Sequence, residues 1–238
     1  MNLKKAFSMS AVTAGLKAGF PIAVGYLPVA MAFGFLSKTV AVSVVDSFLC
    51  SLLVFAGASQ FMALNLWRIG VAGGEIILAT LLLNLRHLLM SATVAARLES
   101  RVNRWLPLVA FGVTDETFAV AATRPEPLTV SYLLGLEGIA YSSWVGGTVL
   151  GYLLGSVLPE AIQGSMGIAL YALFAAILVP QVKHSFKAAV LALSSGLINL
   201  FLSGSRLLPG GWSMVLAIIV TAIAGGLLFR EETGEVRS

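Results

Sequence analysis

The chain has 238 residues, of which 58% are hydrophobic and 11% charged. A water-soluble domain carries about 25% charged residues, so this chain lacks the polar surface to cover a globule and reads as embedded in lipid. Its net charge of +4 is scattered over short segments between apolar runs, which argues against a nucleic-acid interface and fits the loop asymmetry of membrane proteins.

In hydrocarbon every backbone polar group needs an internal partner, which leaves helices or a closed barrel. The apolar runs are about 18 to 25 residues long, the length of helical spans. The chain therefore predicts an all-α, polytopic transmembrane bundle of about eight spans, seven being the alternative. In chain order the spans are Thr13–Leu36, Val45–Leu66, Glu75–Ala96, Trp105–Ala122, Leu128–Leu154, Gly164–Val179, Phe186–Leu202 and Trp212–Phe229. Short linkers predict one membrane transport domain. Lys4 and Lys5 precede the first apolar stretch, but no small-residue cleavage site follows before Pro21 and Pro28, so the first span is expected to be retained. Cys50 is the single cysteine and offers neither a disulfide nor a metal motif.

Basic residues set the orientation. With the N-terminus in the cytoplasm, Lys4, Lys5, Arg68, Arg124, Lys183, Lys187, Arg230 and Arg237 fall inside, and Lys38, Arg97, Arg101, Arg104 and Arg206 outside. Eight against five favours that orientation. The cluster Arg97, Arg101 and Arg104 conflicts with it, and a re-entrant segment or a count of seven spans would remove the conflict.

The first span holds Pro21, Gly25, Pro28 and Gly34. Proline removes a backbone donor and clashes with the preceding turn, so unwound backbone is expected near Pro28, either as a packing kink or as part of a substrate site. The fifth span holds Gly135, Gly138, Gly146, Gly147 and Gly151, spacings that permit close helix approach. A weak internal repeat pairs Val54–Gly57 with Leu173–Ala176 and Ala32–Leu36 with Val149–Leu153.

Charge inside a bilayer costs about 2.5–3.5 kcal/mol per group on the lenient insertion scale, so each intramembrane charge asks for a reason. Asn84-Leu85-Arg86-His87 lies in the third span and Thr114-Asp115-Glu116-Thr117 in the fourth. Arg86 is about 16 Å from Glu75 and Asp115 about 15 Å from Trp105 along their helices, so both clusters sit near mid-membrane. A pair of Arg86 with Asp115 or Glu116 would lower the burial cost. Such a pair either locks two helices or meets a zwitterionic solute. His87, a residue type whose unperturbed side chain titrates near neutrality, adds the material of a proton relay. Glu137, about 14 Å into the fifth span, joins them. Gly57-Ala58-Ser59-Gln60 places small and hydrogen-bonding residues together, for helix packing or for a substrate's charged ends. The candidate substrate-binding residues are Pro28, Gly57, Gln60, Asn84 and Arg86. The candidate proton-coupling residues are His87, Asp115, Glu116 and Glu137.

These stretches resemble the AzlC family of bacterial branched-chain amino acid permeases. The likeness rests on Gly25-Tyr26-Leu27-Pro28 through Gly34, Phe55-Ala56-Gly57-Ala58-Ser59-Gln60-Phe61, Asn84-Leu85-Arg86-His87 and Thr114-Asp115-Glu116, over about residues 15–160. The resemblance implies an exporter of valine, leucine and isoleucine, with methionine as a further substrate, in the bacterial cytoplasmic membrane. It also implies a small AzlD-type membrane subunit. No Gly-rich phosphate loop with Lys-Ser/Thr is present, so a secondary transporter without cofactor, coupled to the proton gradient, is the leading expectation. The alternatives are a channel or non-transporting subunit, and an intramembrane serine hydrolase built on Ser59 with His87.

Overall fold

The computed structural model describes residues 8–99, 104–157, 185–205 and 212–228, with a few positions between 175 and 183. Most of the sixth expected span, at 164–179, and of the repeat partner at 173–176 lies outside the described residues. Among those described, all regular structure is helical: α1 (Met9–Thr39), α2 (Val44–Leu53), α3 (Gly57–Arg68), α4 (Gly73–Ala96), α5 (Leu106–Gly112), α6 (Asp115–Thr123), α7 (Val130–Leu154), α8 (Phe186–Ser205) and α9 (Trp212–Leu228). A single isolated bridge joins Leu98 and Leu128. Of the described helices, α1, α4 and α8 are long and apolar enough to cross a membrane. The chain is a helical membrane protein.

It divides into two compact units, one of residues 1–64 and 83–170 and one of 65–82 and 171–238. In the second unit α8 and α9 pack together, with Gly225 seated against the side chain of Leu191. The first unit holds every candidate residue named above.

Its spine is the pair α1 and α7. Small residues let the two backbones touch. A Cβ at Gly15 would overlap the Tyr132 carbonyl, at Gly135 that of Val12, at Gly34 that of Thr148, and at Gly151 that of Met31. Partner numbers rise together along both helices, so α1 and α7 run parallel. The likeness between Ala32–Leu36 and Val149–Leu153 thus places Gly34 and Gly151 at one reciprocal contact.

Helix α1 is continuous over 31 residues with Pro21 and Pro28 inside it. The unwound backbone expected near Pro28 is absent, and Pro28 is exposed on the outer side of α1. Close support by α7 along its length, including a 2.6 Å bond from Ser143 Oγ to the Ala23 carbonyl, keeps the prolines as local irregularities.

The chain breaks instead at two places without proline, 54–56 and 113–114. Both breaks are tips of hairpins. Val42, just before α2, and Ser51 and Leu52 on it meet Tyr152, Thr148 and Tyr141 of α7 in turn, so α2 descends from the end of α7. Past the tip, Gln60 bonds back to Ser51 at 3.1 Å. Phe55 touches Tyr26, whereas Phe61 touches Phe33 further along α1. Over Gly57–Leu64, α3 therefore climbs back toward the face from which α2 came. The second hairpin enters from the opposite face. Helices α5 and α6 are bent by 112°, and α6 ends beside Arg97, whose guanidinium donates to the carbonyls of Ala121, Ala122 and Arg124. Backbone bonds between Glu99 and Leu128 and between Leu128 and Arg97 tie this corner to the start of α7. Ser8 at the start of α1 bonds Ser131 of α7 at 3.1 Å.

Two expectations change. The second and fourth apolar stretches, read as crossings, fold back on themselves. Arg97 and Arg104 then lie on the face that carries the start of α1, with Arg124, and not on the opposite face; Arg101 is outside the described residues. The conflict in the basic-residue count came from treating each apolar stretch as a traverse. Single cysteines at Ser8 and Glu99, in a Cys50→Ala background, are expected to react with an impermeant thiol reagent from the same side of sealed vesicles. Labelling from opposite sides would refute this arrangement.

Candidate functional site

The two tips meet. Phe55 in the first break, Phe111 just before the second and Tyr141 of α7 pack ring to ring, with centroids 5.3 to 6.5 Å apart. Tyr26 of α1 stands against Phe55 and Trp144, edge to face at 6.1 and 5.2 Å, an arrangement aromatic quadrupoles favour. Irregular backbone at membrane depth is tolerated where it is buried in protein or lines a cavity. Here α1 and α7 provide that burial.

The first tip is closed by neutral hydrogen bonds. Gln60, 1% exposed, accepts from Trp144 Nε1 at 2.7 Å and donates to Ser51 Oγ at 3.1 Å and to Cys50 Sγ at 3.5 Å. Ser51 is 2.7 Å from Thr148 Oγ1, and Tyr141 Oη caps the Leu52 carbonyl at 2.7 Å. Gly57 leaves room for the Trp144 ring. Both ends of the Gln60 amide are thus taken up within the protein, and Gly57 sits against the Trp144 ring.

The second tip is charged. Thr114 caps α6 in a reciprocal capping box with Thr117, which satisfies two amide donors at the helix start. Asp115 and Glu116 occupy the first turn, where the helix dipole favours anions. Asp115 pairs with Arg86 of α4 at 2.9 Å, with side chains 24% and 36% exposed. Glu116 accepts from Tyr26 Oη at 2.5 Å, and the same hydroxyl is 2.8 Å from Thr114 Oγ1. His87 lies close to the Val113 backbone, beside the Arg86–Asp115 pair. Asn84 Oδ1 accepts from Ser59 Oγ at 2.5 Å, so the serine hydroxyl is turned to an amide and not to a histidine. Glu137 of α7 is 4% exposed. Its Oε2 has no hydrogen-bond partner, and its carboxylate lies directly against Gly112, where a Cβ would come within 2.5 Å of it.

The structure brings together Gly57, Gln60, Asn84, Arg86, His87, Asp115, Glu116 and Glu137 and leaves Pro28 outside. Sequence reasoning named the charged members, because charge in an apolar run stands out. It missed Tyr26, Trp144, Ser51, Thr148 and Tyr141, since an aromatic or hydroxyl residue in a span carries no signal until its partner is known. It also missed Arg97 as the clamp on the end of α6.

Residues 21–158, more than half of the chain, match the family described as AzlC protein. An uncharacterized membrane protein of Archaeoglobus fulgidus is 39% identical over 216 residues, covering 90% of this chain and 92% of its own. Inner membrane protein YgaZ of Escherichia coli is 30% identical, covering 90% and 87%. The branched-chain amino acid transport protein AzlC of Bacillus subtilis is 26% identical, covering 79% and 76%. No solved structure matches. The matched segment runs from α1 through both hairpins to the end of α7, so the paired tips and their charged residues lie inside it: the chain belongs to the AzlC family.

Proposed function

We propose that this protein is a secondary transporter that exports branched-chain amino acids across the cytoplasmic membrane, with its N-terminus in the cytoplasm. Movement is driven by the proton gradient and takes place beside a small membrane subunit. The observation that carries the reading is the meeting of two oppositely inserted hairpin tips around an ion pair, since broken helices at the midplane are where transporters hold substrate and coupling ion. A relative named for branched-chain amino acid transport supports the substrate class. Arg86 takes the α-carboxylate, and Asp115 with Glu116 takes the α-ammonium. The rings of Phe55, Phe111 and Tyr141 receive the aliphatic side chain, a surface that rewards apolar area at about 25 cal/mol per Å². Glu137 carries the proton, and His87 assists transfer toward Asp115. Asn84 holds the first tip through Ser59. Gln60 acts as a fixed strut and not as a ligand.

The test is counterflow of labelled leucine in proteoliposomes, with and without the small subunit and an imposed pH gradient. Saturable leucine exchange, reduced at least about tenfold by Arg86→Ala in a monodisperse protein, is the expected result; tenfold corresponds to roughly 1.4 kcal/mol. Unchanged exchange in Arg86→Ala overturns the site. Non-saturable flux that never runs uphill overturns the transporter.

A further inference from the structure

The two hairpins are fastened by different chemistry. The first tip is tied to α7 by buried neutral bonds, and Ser51 and Thr148 are fully buried there. Opening it would strip several groups of their partners in a medium without water. The second tip has no such ties to α7, and its one buried neutral tie is the Tyr26 Oη–Thr114 Oγ1 bond to α1. It is otherwise held by Arg86–Asp115, a partly buried ion pair between α4 and α6, and by the Tyr26–Glu116 bond. The face it presents to α7 rests Gly112 on the unpartnered Glu137 oxygen. Its base is clamped, because Arg97 staples three carbonyls at the end of α6. A clamped base, a tip held by exchangeable charges and an unsatisfied carboxylate beneath that tip describe a flap.

We propose that the α5–α6 hairpin is the gate on the face that carries the start of α1, and that the Arg86–Asp115 pair is its latch. The α2–α3 hairpin is the fixed wall on the other side. This rests on the amino-acid reading for the identity of the solute that opens it. A free amino acid carries the same two charges as the latch. Its carboxylate replaces Asp115 at Arg86 and its ammonium replaces Arg86 at Asp115, so binding releases the tip without leaving either buried charge alone. An amine or a carboxylate lacking the other group satisfies one side and strands the other. The gate thereby selects for zwitterions before the side chain is read. A ligand moves such an equilibrium only by binding the two states differently, and partner exchange at the latch supplies that difference.

Val113, between α5 and α6, is 1% exposed and reports on the gate; Ser51, fully buried in the first hairpin, reports on the wall. Each is replaced by cysteine in the Cys50→Ala background and exposed to an impermeant methanethiosulfonate in vesicles of each orientation. Asp115→Asn is expected to raise modification of the cysteine at 113 at least about tenfold, and leucine to do the same with Asp115 intact. Both effects come from the side on which α1 begins, and the cysteine at 51 stays protected. The double exchange R86D with D115R is expected to restore protection, which separates a latch from a folding defect. Unchanged reactivity at 113 in Asp115→Asn, reaction from the opposite side, or equal opening at 51 overturns the gate. If Asp115→Asn opens the hairpin and leucine does not, the amino acid is overturned as its trigger and the transport reading falls, while the flap stands.

Discussion

Replacing Gly34 by alanine is expected to destabilise the first unit strongly, while the same replacement at Gly146 leaves it intact. The difference follows from what an added methyl meets. At Gly34 it would overlap the Thr148 carbonyl, and at Gly15, on the same face of α1, the Tyr132 carbonyl; at Gly146 and Gly138 nothing lies within 4 Å. Overpacking against side chains costs about 1–3 kcal/mol because rotamers can yield. Here the obstacle is backbone in a parallel helix pair, so the whole of α1 must move away from α7. The first tip loses its partners with it, since Trp144 and Thr148 hold Gln60 and Ser51. Gly34→Ala and Gly15→Ala are expected to lower the yield of monodisperse protein several-fold and to lower its melting temperature in detergent. Gly138→Ala and Gly146→Ala should match the parent in both. Equal behaviour of the two sets would mean that the parallel contact is not where the stability of this unit resides.

The second large effect is expected at Glu137. Conversion to glutamine keeps the shape and removes the capacity to carry charge. With Oε2 buried and unpartnered, no ion pair is broken by the change. Folding should therefore survive, and Glu137→Leu should be as stable as the parent or more so, because an unsatisfied buried polar group is replaced by an apolar one. Transport should divide. Leucine counterflow, which needs only the solute to exchange, persists. Accumulation driven by a pH gradient falls at least about tenfold, a change equivalent to roughly 1.4 kcal/mol of lost coupling. If Glu137→Gln retains gradient-driven accumulation, the proton is carried elsewhere in the tip, and Glu116 with its Tyr26 partner becomes the next group to test. If Glu137→Gln abolishes counterflow as well, Glu137 touches the solute.

The membrane class of the chain, the helical assignment and the pairing of Arg86 with Asp115 were all legible in the sequence. Each follows from local quantities: run length, charge and a rise of 1.5 Å per residue. Arg86 and Asp115 were brought together on depth alone, and they meet at 2.9 Å. What was not legible was whether an apolar stretch crosses or returns. Val45–Leu66 and Trp105–Ala122 have the length of a span, and no hydropathy count distinguishes a crossing from two half-length helices. The information lies in partners far along the chain, such as Thr148 for Ser51 and Arg97 for the end of α6. The prolines misled for a related reason. Pro28 carries a local propensity to break a helix, but α1 stays continuous, supported by α7 more than a hundred residues later. The breaks fell at Phe55-Ala56 and Val113-Thr114, where a glycine adjoins each turn and a threonine caps the second. Arg97 and Arg104 were a signal in the sequence that the count of traverses was wrong.

Trp144 and Gln60 lie 84 residues apart, and that separation orders the protein's birth. As the chain leaves the ribosome, the first hairpin is made long before the helix that satisfies its amide, its serine and its open carbonyl. Until α7 arrives, those groups must stay with water or with the insertion machinery, because lipid offers them nothing. The hairpin is thus a late arrival to its own place, drawn in only when its anchor has been synthesised. Quality control has a simple sign to read: a chain whose seventh helix is missing or misplaced keeps a polar loop at the membrane surface, and one that has closed correctly hides it.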